Sequence, residues 1–408
     1  MGGSRTGAAF DSIEAIGDPT AVLVRVDLNS PVEGGIVLDN RRFARHATTV
    51  EELSDAGHHV IVLAHQGRPG RDDFVSLEPH TDILSDHVSR PIDFCDETTG
   101  ERAERAISQL SSGEILMLEN VRMHPDELAD RTPEEHARSD LVRSLAALVD
   151  VYVGDAYSTA HRAHASIVGL PRAAERAVAG RVMEAEYTAN SAIQARTFDG
   201  PVTMVLGGTK ADDLFRVIEG VESTVDTFLR GGVSGELCLR ARGYDLGYDV
   251  ETDLFDSLWA DHETAIRALL ERFDDRLVLP QDLAYASEGG ERREMTVEGS
   301  AKTQPYYDIG SETVEEFRPY IQESEAVFVK GALGVFEDER FSNGTVSVLQ
   351  AIGEADVFSV VGGGDTSRAI DIYDLDPADY DHVSIAGGAY VRALAGESLP
   401  GVDALRRE

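Results

Sequence analysis

The sequence alternates between short apolar runs and longer amphipathic stretches. Ten runs of five to seven residues are rich in Val, Ile and Leu, and they lie at 22–28, 59–64, 114–119, 149–155, 201–206, 225–229, 276–280, 326–330, 357–361 and 382–386. Continuous apolar character is typical of strands that are buried on both faces of a parallel sheet. The stretches between them, such as 41–56 and 133–148, have the spacing of amphipathic helices. This alternation predicts an α/β fold with two doubly wound, mainly parallel-sheet lobes.

The apolar runs fall into two series, one that ends with 149–155 and one that begins with 201–206. We interpret each series as the sheet of a separate lobe. We expect a first lobe over 1–170, a connecting hinge helix over 171–197 and a second lobe over 198–388. The connecting segment begins with Pro171 and is rich in Ala, Glu and Arg, which favours a helix. An ordinary crossover helix within one large domain is the alternative. The acidic, less periodic segment 242–262 is interpreted as a loop or an excursion.

The charge balance excludes several classes of partner. Asp and Glu number 74 against 37 Lys and Arg, which gives a formal net charge of −37. Such a chain lacks the basic surface that nucleic acids or anionic membranes require. It also has neither an apolar run of about 18 residues nor the apolar core of a signal peptide. With only two cysteines, Cys95 and Cys238, the sequence predicts a cytoplasmic protein without nucleic-acid or membrane partners.

Lysine is almost missing from the sequence. Only Lys210, Lys302 and Lys330 are present, beside 34 arginines. An acidic surface of this kind repels itself at low salt, whereas at multimolar salt the Debye length falls to about 3 Å or less. We interpret the composition as adaptation to a salt-saturated cytoplasm. A merely acidic protein of an ordinary cytosol is the alternative, but it leaves the scarcity of lysine unexplained.

Polar side chains follow the apolar runs of the first lobe on their carboxyl side, which is the edge where open α/β sheets bind ligands. They are Arg25, Asp27, Asn29, Arg42, His65, Arg68, Arg122, His161, Arg162 and His164. For a single arginine, a surface ion pair is the simpler explanation. Several arginines at one edge of so acidic a protein instead predict a ligand with more than one anionic group, held by guanidinium forks.

The second lobe carries glycines at the corresponding positions, in GGTK, RGG, KGALG and GGGD. The candidate nucleotide-binding residues are Gly207, Gly208, Lys210, Gly231, Lys330, Gly331, Gly362, Gly363, Gly364 and Thr366. Free N–H groups at a helix N-terminus bind phosphate, and Asp365 is placed to reach a divalent metal. A single glycine cluster is more often a tight turn, and neither a P-loop nor a dinucleotide fingerprint is present. Together the two lobes predict a hinged phosphoryl-transfer enzyme.

At this point the motifs are recognisable along almost the whole sequence, because it resembles phosphoglycerate kinases and, in its acidity, their halophilic archaeal members. The matching stretches are RVDLNSPV, NRRFAR, AHQGRP, LENVRM, GDAYSTAHRAHAS, LGGTK, DIGSET, KGALGVFE, VVGGGDTSRA and SIAGGA. The resemblance implies reversible, Mg2+-dependent phosphoryl transfer between 1,3-bisphosphoglycerate with ADP and 3-phosphoglycerate with ATP, in glycolysis and gluconeogenesis. It also suggests that residues 389–408 pack back on the first lobe. We expect a monomer.

The resemblance implies a role for each matching residue. The substrate would be bound by Arg25, Asp27, Asn29, His65, Arg68, Arg122, His161, Arg162 and His164. Arg42, Lys210 and the amides of Gly363 and Gly364 would act on the transferring phosphoryl group, and Glu337 would hold the ribose hydroxyls. The loop from Gly362 to Thr366 would bind phosphates, with Asp365 directed to Mg2+.

Four departures from the family pattern stand out. Leu214 occupies a position where the family often has a second lysine, and Lys330 begins the motif that reads N-G-P elsewhere. The other two are SIAGG at 384–388 and Tyr157-Ser158. Our hypothesis is that Lys330 supplies the positive charge that Leu214 cannot. The alternative function is a catalytically weakened nucleotide- or anion-binding homologue, against which the retained Arg42 and Lys210 speak.

Overall fold

The computed structural model describes residues 10–195, 198–209, 211–246, 253–298 and 305–406, without the side chains of 211–214 and 253–257. The described chain forms two compact units. The first unit contains the residues up to Thr188 and those from Ser398 onward, and the second unit contains Ala189–Glu397.

A six-stranded parallel sheet forms the centre of the first unit. Its strands, with one short hairpin, are β1 (Ala21–Arg25), β2 (Val32–Glu33), β3 (Ile36–Val37), β4 (His59–Leu63), β5 (Asp93–Cys95), β6 (Ile115–Leu118), β7 (Val151–Gly154) and β8 (Arg176–Ala179). The sheet has the order β5-β6-β4-β1-β7-β8, while β2 and β3 pair with each other. All residues of β6 and β7 are buried, as the continuous apolar runs predicted.

Helices cover this sheet. They are α1 (Arg41–Asp55), α2 (Glu78–Val88), α3 (Glu101–Gln109), α4 (Pro133–His136), α5 (Asp140–Ala146), α6 (Leu170–Ala173) and α7 (Arg181–Ala195), of which α7 continues into the second unit. The side chain of Asn40 caps α1 by accepting a hydrogen bond from the Arg42 amide at 2.9 Å. Phe43, Val50 and Leu53 of α1 belong to the core that packs on β1 and β4. The cap and this packing fix where α1 begins and how it faces the sheet.

The expectation of a single helix over 171–197 was wrong. Within that segment α6 ends at Ala173, β8 adds a strand beside β7, and α7 begins at Arg181. The sequence of β8, Arg-Ala-Val-Ala, is short and Ala-rich, so it was hidden inside a composition that favours helix. Sheet pairing with β7 overrides that local preference.

The second unit contains a second six-stranded parallel sheet and a small antiparallel one. Its strands are β9 (Val202–Leu206), β10 (Thr227–Arg230), β11 (Leu277–Val278), β12 (Asp282–Ala286), β13 (Arg292–Thr296), β14 (Tyr306–Ile309), β15 (Ala326–Lys330), β16 (Phe358–Gly362) and β17 (His382–Val383). The parallel sheet has the order β11-β10-β9-β15-β16-β17, and the antiparallel sheet has the order β13-β12-β14. Both large sheets confirm the predicted doubly wound α/β class.

The helices of the second unit are α8 (Ala211–Val221), α9 (Gly232–Ala241), α10 (Asp253–Phe273), α11 (Ser311–Gln322), α12 (Asn343–Gly353), α13 (Gly364–Ile372) and α14 (Gly388–Leu394). The interpretation of 242–262 as a loop was therefore wrong for residues 253–262, which belong to α10. Across the described ranges, no helix combines the length and the apolar character needed to cross a membrane.

The last described helix, α15 (Pro400–Leu405), belongs to the first unit. The Gly401 amide donates a hydrogen bond to the Ala160 carbonyl at 2.8 Å. The Leu405 side chain lies so close to Gly154 that a Cβ there would be 3.0 Å from a Leu405 methyl. The return to the first unit begins at Ser398, later than residue 389, because α14 belongs to the second unit.

Candidate active site

The first unit gathers its charged residues at the carboxyl ends of four neighbouring strands. β6, β4, β1 and β7 are adjacent and parallel, so their carboxyl ends lie at one edge of the sheet. Arg25 is the last residue of β1, and His65 follows β4 by two positions. Arg122 lies in a 3-10 turn after β6, at Val121–Met123. The fold thereby brings together side chains that are far apart in sequence.

Asp27 is the centre of this cluster. Its Oδ2 lies 2.9 Å from Arg42 Nη1 and accepts the Ser158 hydroxyl, while Oδ1 accepts the Asn29 amide at 3.0 Å. His65 Nδ1 is 3.7 Å from Oδ1. Burial alone would raise the pKa of Asp27, but the charges of Arg42 and His65 and these hydrogen bonds hold it well below its usual value. Asp27 is therefore an ionised anchor that fixes Arg42.

Arg25 is held by protein groups on every side. Its side chain is 1% exposed, and its Nε donates to Ser166 Oγ at 2.8 Å. Nη2 lies 3.2 Å from His65 Nδ1 and 4.0 Å from Glu127 Oε1. Glu127, which is fully buried, accepts hydrogen bonds from both the amide and the hydroxyl of Ser166. Burial raises the pKa of Glu127, and the charge of Arg25 opposes that shift.

The remaining basic groups repel one another. Burial lowers the pKa of Arg122 to about 10, and the charges of Arg162 and Arg25 add to the effect. Burial, together with Arg122, Arg162 and Arg25, lowers the pKa of His164 to about 3. Within the described residues, the buried Nε of Arg122 has no hydrogen-bond partner. Because an anion would relieve this repulsion, the cluster is preorganised to bind one.

Four more of the predicted residues belong to this edge, and they are Arg162, His161, Arg68 and Asn29. Burial lowers the pKa of Arg162, to which the nearby charges of Arg68, Arg25 and Arg42 contribute. Arg162 Nε donates to His161 Nε2 at 3.2 Å, and Arg68 is exposed. Asn29 fixes two loops, because its side chain accepts the Gly67 amide at 2.8 Å and its carbonyl accepts Arg42 Nη1 at 3.0 Å. The structure therefore brings together all ten polar residues predicted in the first lobe.

Sequence analysis missed the groups that hold these side chains. His46 of α1 accepts the Asp27 amide on Nε2 at 3.2 Å, and its Nδ1 lies 2.7 Å from Asp155 Oδ2. Asp155 Oδ1 accepts the amides of Val182 and Met183, at the start of α7. This pair joins α1 to α7. Glu127 and Ser166 were missed as well, since Glu127 lies in a turn and Ser166 in the short π-helical segment Ala165–Gly169, and neither segment has a local sequence pattern.

A pocket of about 220 Å³ lies in the second unit. Its lining consists of Gly208, Thr209, Gly232, Val233, Glu236, Tyr306, Tyr307, Ala332, Leu333, Gly334, Val335, Phe336, Glu337 and Asp365. It therefore includes residues from the strand ends of the parallel sheet and from β14. Three of the predicted residues line it, which are Gly208, Glu337 and Asp365.

Several of the predicted glycines serve packing. A Cβ at Gly207 would collide with the Ala332 carbonyl, and one at Gly331 would lie 2.5 Å from the Gly207 carbonyl oxygen. Hydrogen bonds from Gly207 N to Lys330 O, at 2.9 Å, and from Gly208 N to Ala332 O, at 2.7 Å, join the same two turns. A Cβ at Gly231 would meet Leu333, and one at Gly362 would meet Tyr390. These glycines allow close contact within the protein.

The start of α13 has the properties of a phosphate site. Gly363 caps the helix with φ of 106°, which favours glycine, while a Cβ at Gly364 would meet nothing within 4 Å. The backbone of Gly364 is therefore open to a ligand. Asp365 is exposed beside it. The Thr366 hydroxyl instead donates to the Gly362 carbonyl at 3.0 Å, so it stabilises the first turn of the helix.

The predicted cations of this unit are only partly described. Lys210 lies outside the described residues, as does the side chain of Leu214. Lys330 is buried at the end of β15, in register with Leu206 of β9 and Gly362 of β16. It therefore lies between the strands that lead into GGTK and GGGD. Glu337 is 46% exposed, with Arg368 3.7 Å away.

No preformed metal cage is found in the described parts of the chain, since they contain no group of three His, Cys, Asp or Glu side chains that could hold an ion. Asp365 is a single exposed carboxylate that lines the pocket. Mg2+ is typically bound by one or two carboxylates together with substrate phosphates and water. The donor set therefore fits Mg2+ that arrives with a nucleotide.

A cluster of buried basic groups on one α/β unit and a glycine-walled pocket on another are typical of a phosphotransferase of the kinase type. The comparisons with known proteins agree with this class and make it specific. The family model described as phosphoglycerate kinase matches residues 16–397. The chain therefore belongs to the phosphoglycerate kinase family, whose reaction transfers a phosphoryl group between a nucleotide and phosphoglycerate.

Individual relatives confirm the assignment over the full matched length. The phosphoglycerate kinase of Halorubrum lacusprofundi is 58% identical, covering 98% of both chains. That of Haloarcula marismortui is 54% identical, covering 98% of this chain and 100% of the relative. Both organisms are halophilic archaea. The crystal structure of phosphoglycerate kinase from Pyrococcus horikoshii is 31% identical with a TM-score of 0.90, covering 97% of this chain and 98% of that one.

Proposed function

We propose that the chain transfers a phosphoryl group, with Mg2+, between 1,3-bisphosphoglycerate bound on the first unit and ADP bound on the second, and in reverse from ATP to 3-phosphoglycerate. The observation that carries the proposal is the cluster of mutually repelling, buried basic groups around Arg122. Asp27 and Glu127 offset part of this positive charge, and an anionic ligand would relieve the repulsion that remains. A substrate with a phosphate and a carboxylate supplies that charge.

In the first unit, Arg68, Arg122 and Arg162 bind the substrate's anionic groups, assisted by His161 and His164. Arg25, Asp27, Asn29 and His65 each have side-chain atoms engaged by the protein, so they act by holding the edge in shape. Arg42, fixed by Asp27 at 2.9 Å, contacts the phosphoryl group in transfer. The positive charge of these arginines thus serves both to bind the substrate and to stabilise the phosphoryl group during transfer.

In the second unit, the pocket lined by Gly208 and Glu337 holds the nucleotide, and the amides of Gly363 and Gly364 receive its phosphates. Lys330 adds positive charge at the end of β15, and Lys210, which lies outside the described residues, would act on the phosphoryl group as the family resemblance implies. Asp365 holds the Mg2+ that accompanies the phosphates, and the ion supplies charge neutralisation when bound.

The chemistry needs no general base. The accepting group is a carboxylate with a reference pKa near 4, so it is ionised at neutral pH. What the protein must provide is alignment of the two reactants and compensation of charge in a loose transition state. The reaction also requires that the ligands of the two units meet in a water-poor space. We propose hinge motion about the segment containing α7, which contributes residues to both units.

The alternative, a weakened homologue that only binds nucleotide or anion, has no support from the comparisons. The net charge of −37 and the relatives from halophilic archaea favour a monomer that works in a salt-rich cytoplasm.

The test is phosphoryl transfer from ATP with Mg2+ to 3-phosphoglycerate, measured from near zero to multimolar KCl. We expect turnover that rises with salt. Arg42→Met should lower kcat by about 10²–10³-fold. Arg45→Met removes the same charge from the same helix and is the matched control, with little expected effect. Absence of turnover at every salt concentration, in a protein that still binds ATP, would contradict the proposal.

A further inference from the structure

Gln66 lies between two predicted substrate-binding residues, His65 and Arg68, but is not itself among the predicted residues. It belongs to the loop that follows β4, at the carboxyl edge of the first unit's sheet. Its side chain is 0% exposed. Burial of an amide costs free energy unless its polar atoms are hydrogen-bonded. The partners of this amide therefore show what Gln66 holds together.

The Gln66 amide makes four hydrogen bonds, which is the full capacity of such a group. Its Oε1 accepts from the Ser30 amide at 2.8 Å and lies 3.0 Å from His80 Nε2. Its Nε2 donates to the carbonyls of Ser30, at 2.9 Å, and Asp73, at 3.1 Å. The Ser30 N–H can only donate and the Ser30 carbonyl can only accept, so the orientation of the amide is determined. Because Oε1 cannot donate, His80 Nε2 carries the proton of its bond.

The two bonds to Ser30 join the loop after β1 to the loop after β4. Ser30 directly follows Asn29, whose side chain accepts the Gly67 amide at 2.8 Å. Gly67 directly follows Gln66, so three hydrogen bonds between two residues of each loop hold the loops together. A Cβ at Gly67 would lie 2.3 Å from the Asp73 carbonyl oxygen. The second loop is therefore folded tightly on itself, and Gln66 fastens it to the first.

These loops supply backbone acceptors for two arginines of the site. The Asn29 carbonyl accepts Arg42 Nη1 at 3.0 Å, and the Gly67 carbonyl accepts Arg122 Nη1. If the loops moved apart, the two guanidinium groups would no longer be held at a fixed spacing. Catalysis tolerates little displacement, since a misplacement of about 1 Å can lower a rate about 10²-fold.

We propose that Gln66 is a positioning residue for phosphoryl transfer, which sets the spacing of Arg42 and Arg122 by joining Ser30 to the loop after β4. All polar atoms of its side chain are used within the protein, so it acts through these backbone groups and not on the substrate. This inference rests on the proposed function, because it assumes that the arginines act on phosphoglycerate and its phosphoryl group.

The first experiment is the kinetics of Gln66→Met at the KCl concentration that gives full activity. Methionine has a similar length but no N–H donor and only a weak acceptor. We expect kcat/KM for 3-phosphoglycerate to fall about 10²-fold, with a lower kcat and a higher KM, because the arginines serve both binding and transfer. The KM for ATP should stay within about 2-fold, since the pocket with the glycine walls belongs to the second unit.

Ile107→Ala is the matched control for a general loss of stability. Ile107 is buried on α3, and the substitution removes apolar atoms without removing a hydrogen bond of the substrate edge. It should lower the midpoint of denaturant unfolding, as Gln66→Met should, but leave kcat and both KM values unchanged. A residue that only stabilises the fold would behave like this control.

Amide hydrogen exchange tests the same coupling in the wild type, even if Gln66→Met does not fold. Exchange of the Ser30 amide requires its bond to Gln66 to open. If the open loops cannot bind substrate, 3-phosphoglycerate at 100 times its dissociation constant should slow that exchange by about 100-fold. The Gly113 amide, which donates to the His58 carbonyl at 3.1 Å near the amino end of β6, is the comparison and should not change. ATP should slow neither amide.

Three results would overturn the inference. Wild-type kinetics in a folded but less stable Gln66→Met would mean that this residue only stabilises the fold. An equal rise of the KM for ATP and for 3-phosphoglycerate would mean that the effect does not arise at the substrate edge. Exchange of the Ser30 amide at the same rate with and without 3-phosphoglycerate would mean that the loops open independently of binding. In each case turnover by the wild type leaves the proposed function standing, whereas no wild-type turnover at any salt concentration would refute that function itself.

Discussion

The two units recognise anions by opposite means. In the first unit the strand ends carry long charged side chains, and Asp27, Glu127 and their partners lock them into one buried network. In the second unit the strand ends carry glycines, and the backbone itself lies open at Gly364. A small substrate with a fixed set of charges can be matched by guanidinium forks. A nucleotide offers a base, a ribose and a flexible phosphate chain, which suits an apolar pocket with free N–H groups.

This difference decides how each unit responds to mutation. The network of the first unit consists of buried charges that are paired with charges of opposite sign. Loss of one member therefore leaves the charge of its partner buried and uncompensated. The sites of the second unit depend on space and backbone conformation, so addition of a single methyl group is the more informative change.

The largest effect is expected for Asp27→Asn. Asp27 is buried, and its charge compensates that of Arg42, whose Nη1 lies 2.9 Å from Asp27 Oδ2. Its neutralisation should lower the free energy of unfolding by about 3 kcal/mol and release Arg42, with a severe loss of kcat. Denaturant unfolding at fixed KCl measures the first effect. Asp39→Asn, at an exposed ion pair with His87, is the control and should change stability by less than about 0.5 kcal/mol. An equal, small effect of both would contradict the network interpretation.

A pair of alanine substitutions tests the second unit. Gly363→Ala places a side chain at φ of 106°, which should cost about 1–2 kcal/mol of stability. Gly364→Ala meets nothing within 4 Å, so stability should be retained while the KM for ATP rises about 10-fold, because the methyl group occupies the approach of the phosphates. Gly243→Ala has similar strain, at φ of 92°, away from the pocket lining, and should leave the KM unchanged. A Gly364→Ala enzyme with normal KM would place the phosphates elsewhere.

One titrating group in each unit should change the free energy of unfolding in opposite directions as the pH falls. The pKa of His164, lowered to about 3 by burial and by nearby arginines, lies below the value of about 6.5 expected when unfolded. The unfolded state therefore binds the proton first, and stability is lost as the pH falls from 6.5 towards 3. His164→Asn should remove about 1 kcal/mol of the loss between pH 7 and 5.5.

Asp308 in the second unit should change the free energy of unfolding in the opposite direction. Burial raises its pKa to about 6, against hydrogen bonds from Gly344 and Arg292. Its unfolded value is near 4, so the folded state binds the proton first and gains stability as the pH falls from 6 to 4. Asp308→Asn should abolish that gain. Hydrogen exchange of amides in β1 and β15 reports the two units separately. The two substitutions should change the pH dependence of the free energy of unfolding in opposite directions. Changes in the same direction would contradict the contrast between the units.

The smallest effect is expected for Lys330→Asn. Lys330 is in register with Leu206 and Gly362, between the two glycine turns. Loss of one phosphate-directed charge among several should raise the KM for ATP about 3- to 10-fold, with stability and the KM for 3-phosphoglycerate little changed. Lys330→Arg, which keeps the charge, should recover most of the affinity. An unchanged nucleotide KM would refute the hypothesis that Lys330 compensates for Leu214.

The sequence was most informative where structure is local. All ten apolar runs overlap strands, because burial on both faces leaves a continuous pattern. The strand β8 and the antiparallel sheet were missed, since β8 is Ala-rich and β13 is largely exposed. Most of the arginines were found because they lie at the end of a strand or in the segment that follows it. Glu127 and His46 were not, because their contacts form only when distant segments pack together.

The glycines illustrate the same limit. Sequence analysis treated Gly207, Gly331, Gly362 and Gly364 alike as nucleotide-binding residues. Three of them are now explained by contacts with other parts of the protein, and only Gly364 has free space above its backbone. The sequence alone cannot distinguish a glycine that leaves space for a ligand from a glycine that leaves space for a neighbouring loop.

The return of α15 to the first unit has a consequence for biosynthesis. Gly401 and Leu405 contact Ala160 and Gly154, so this unit lacks part of its packing until the ribosome has translated all of Ala189–Glu397. At about 5–20 residues per second, that delay is roughly 10–40 seconds. The second unit, whose residues are contiguous in the chain, can complete its own packing during this interval. The unit that is synthesised first is therefore the last to complete its packing.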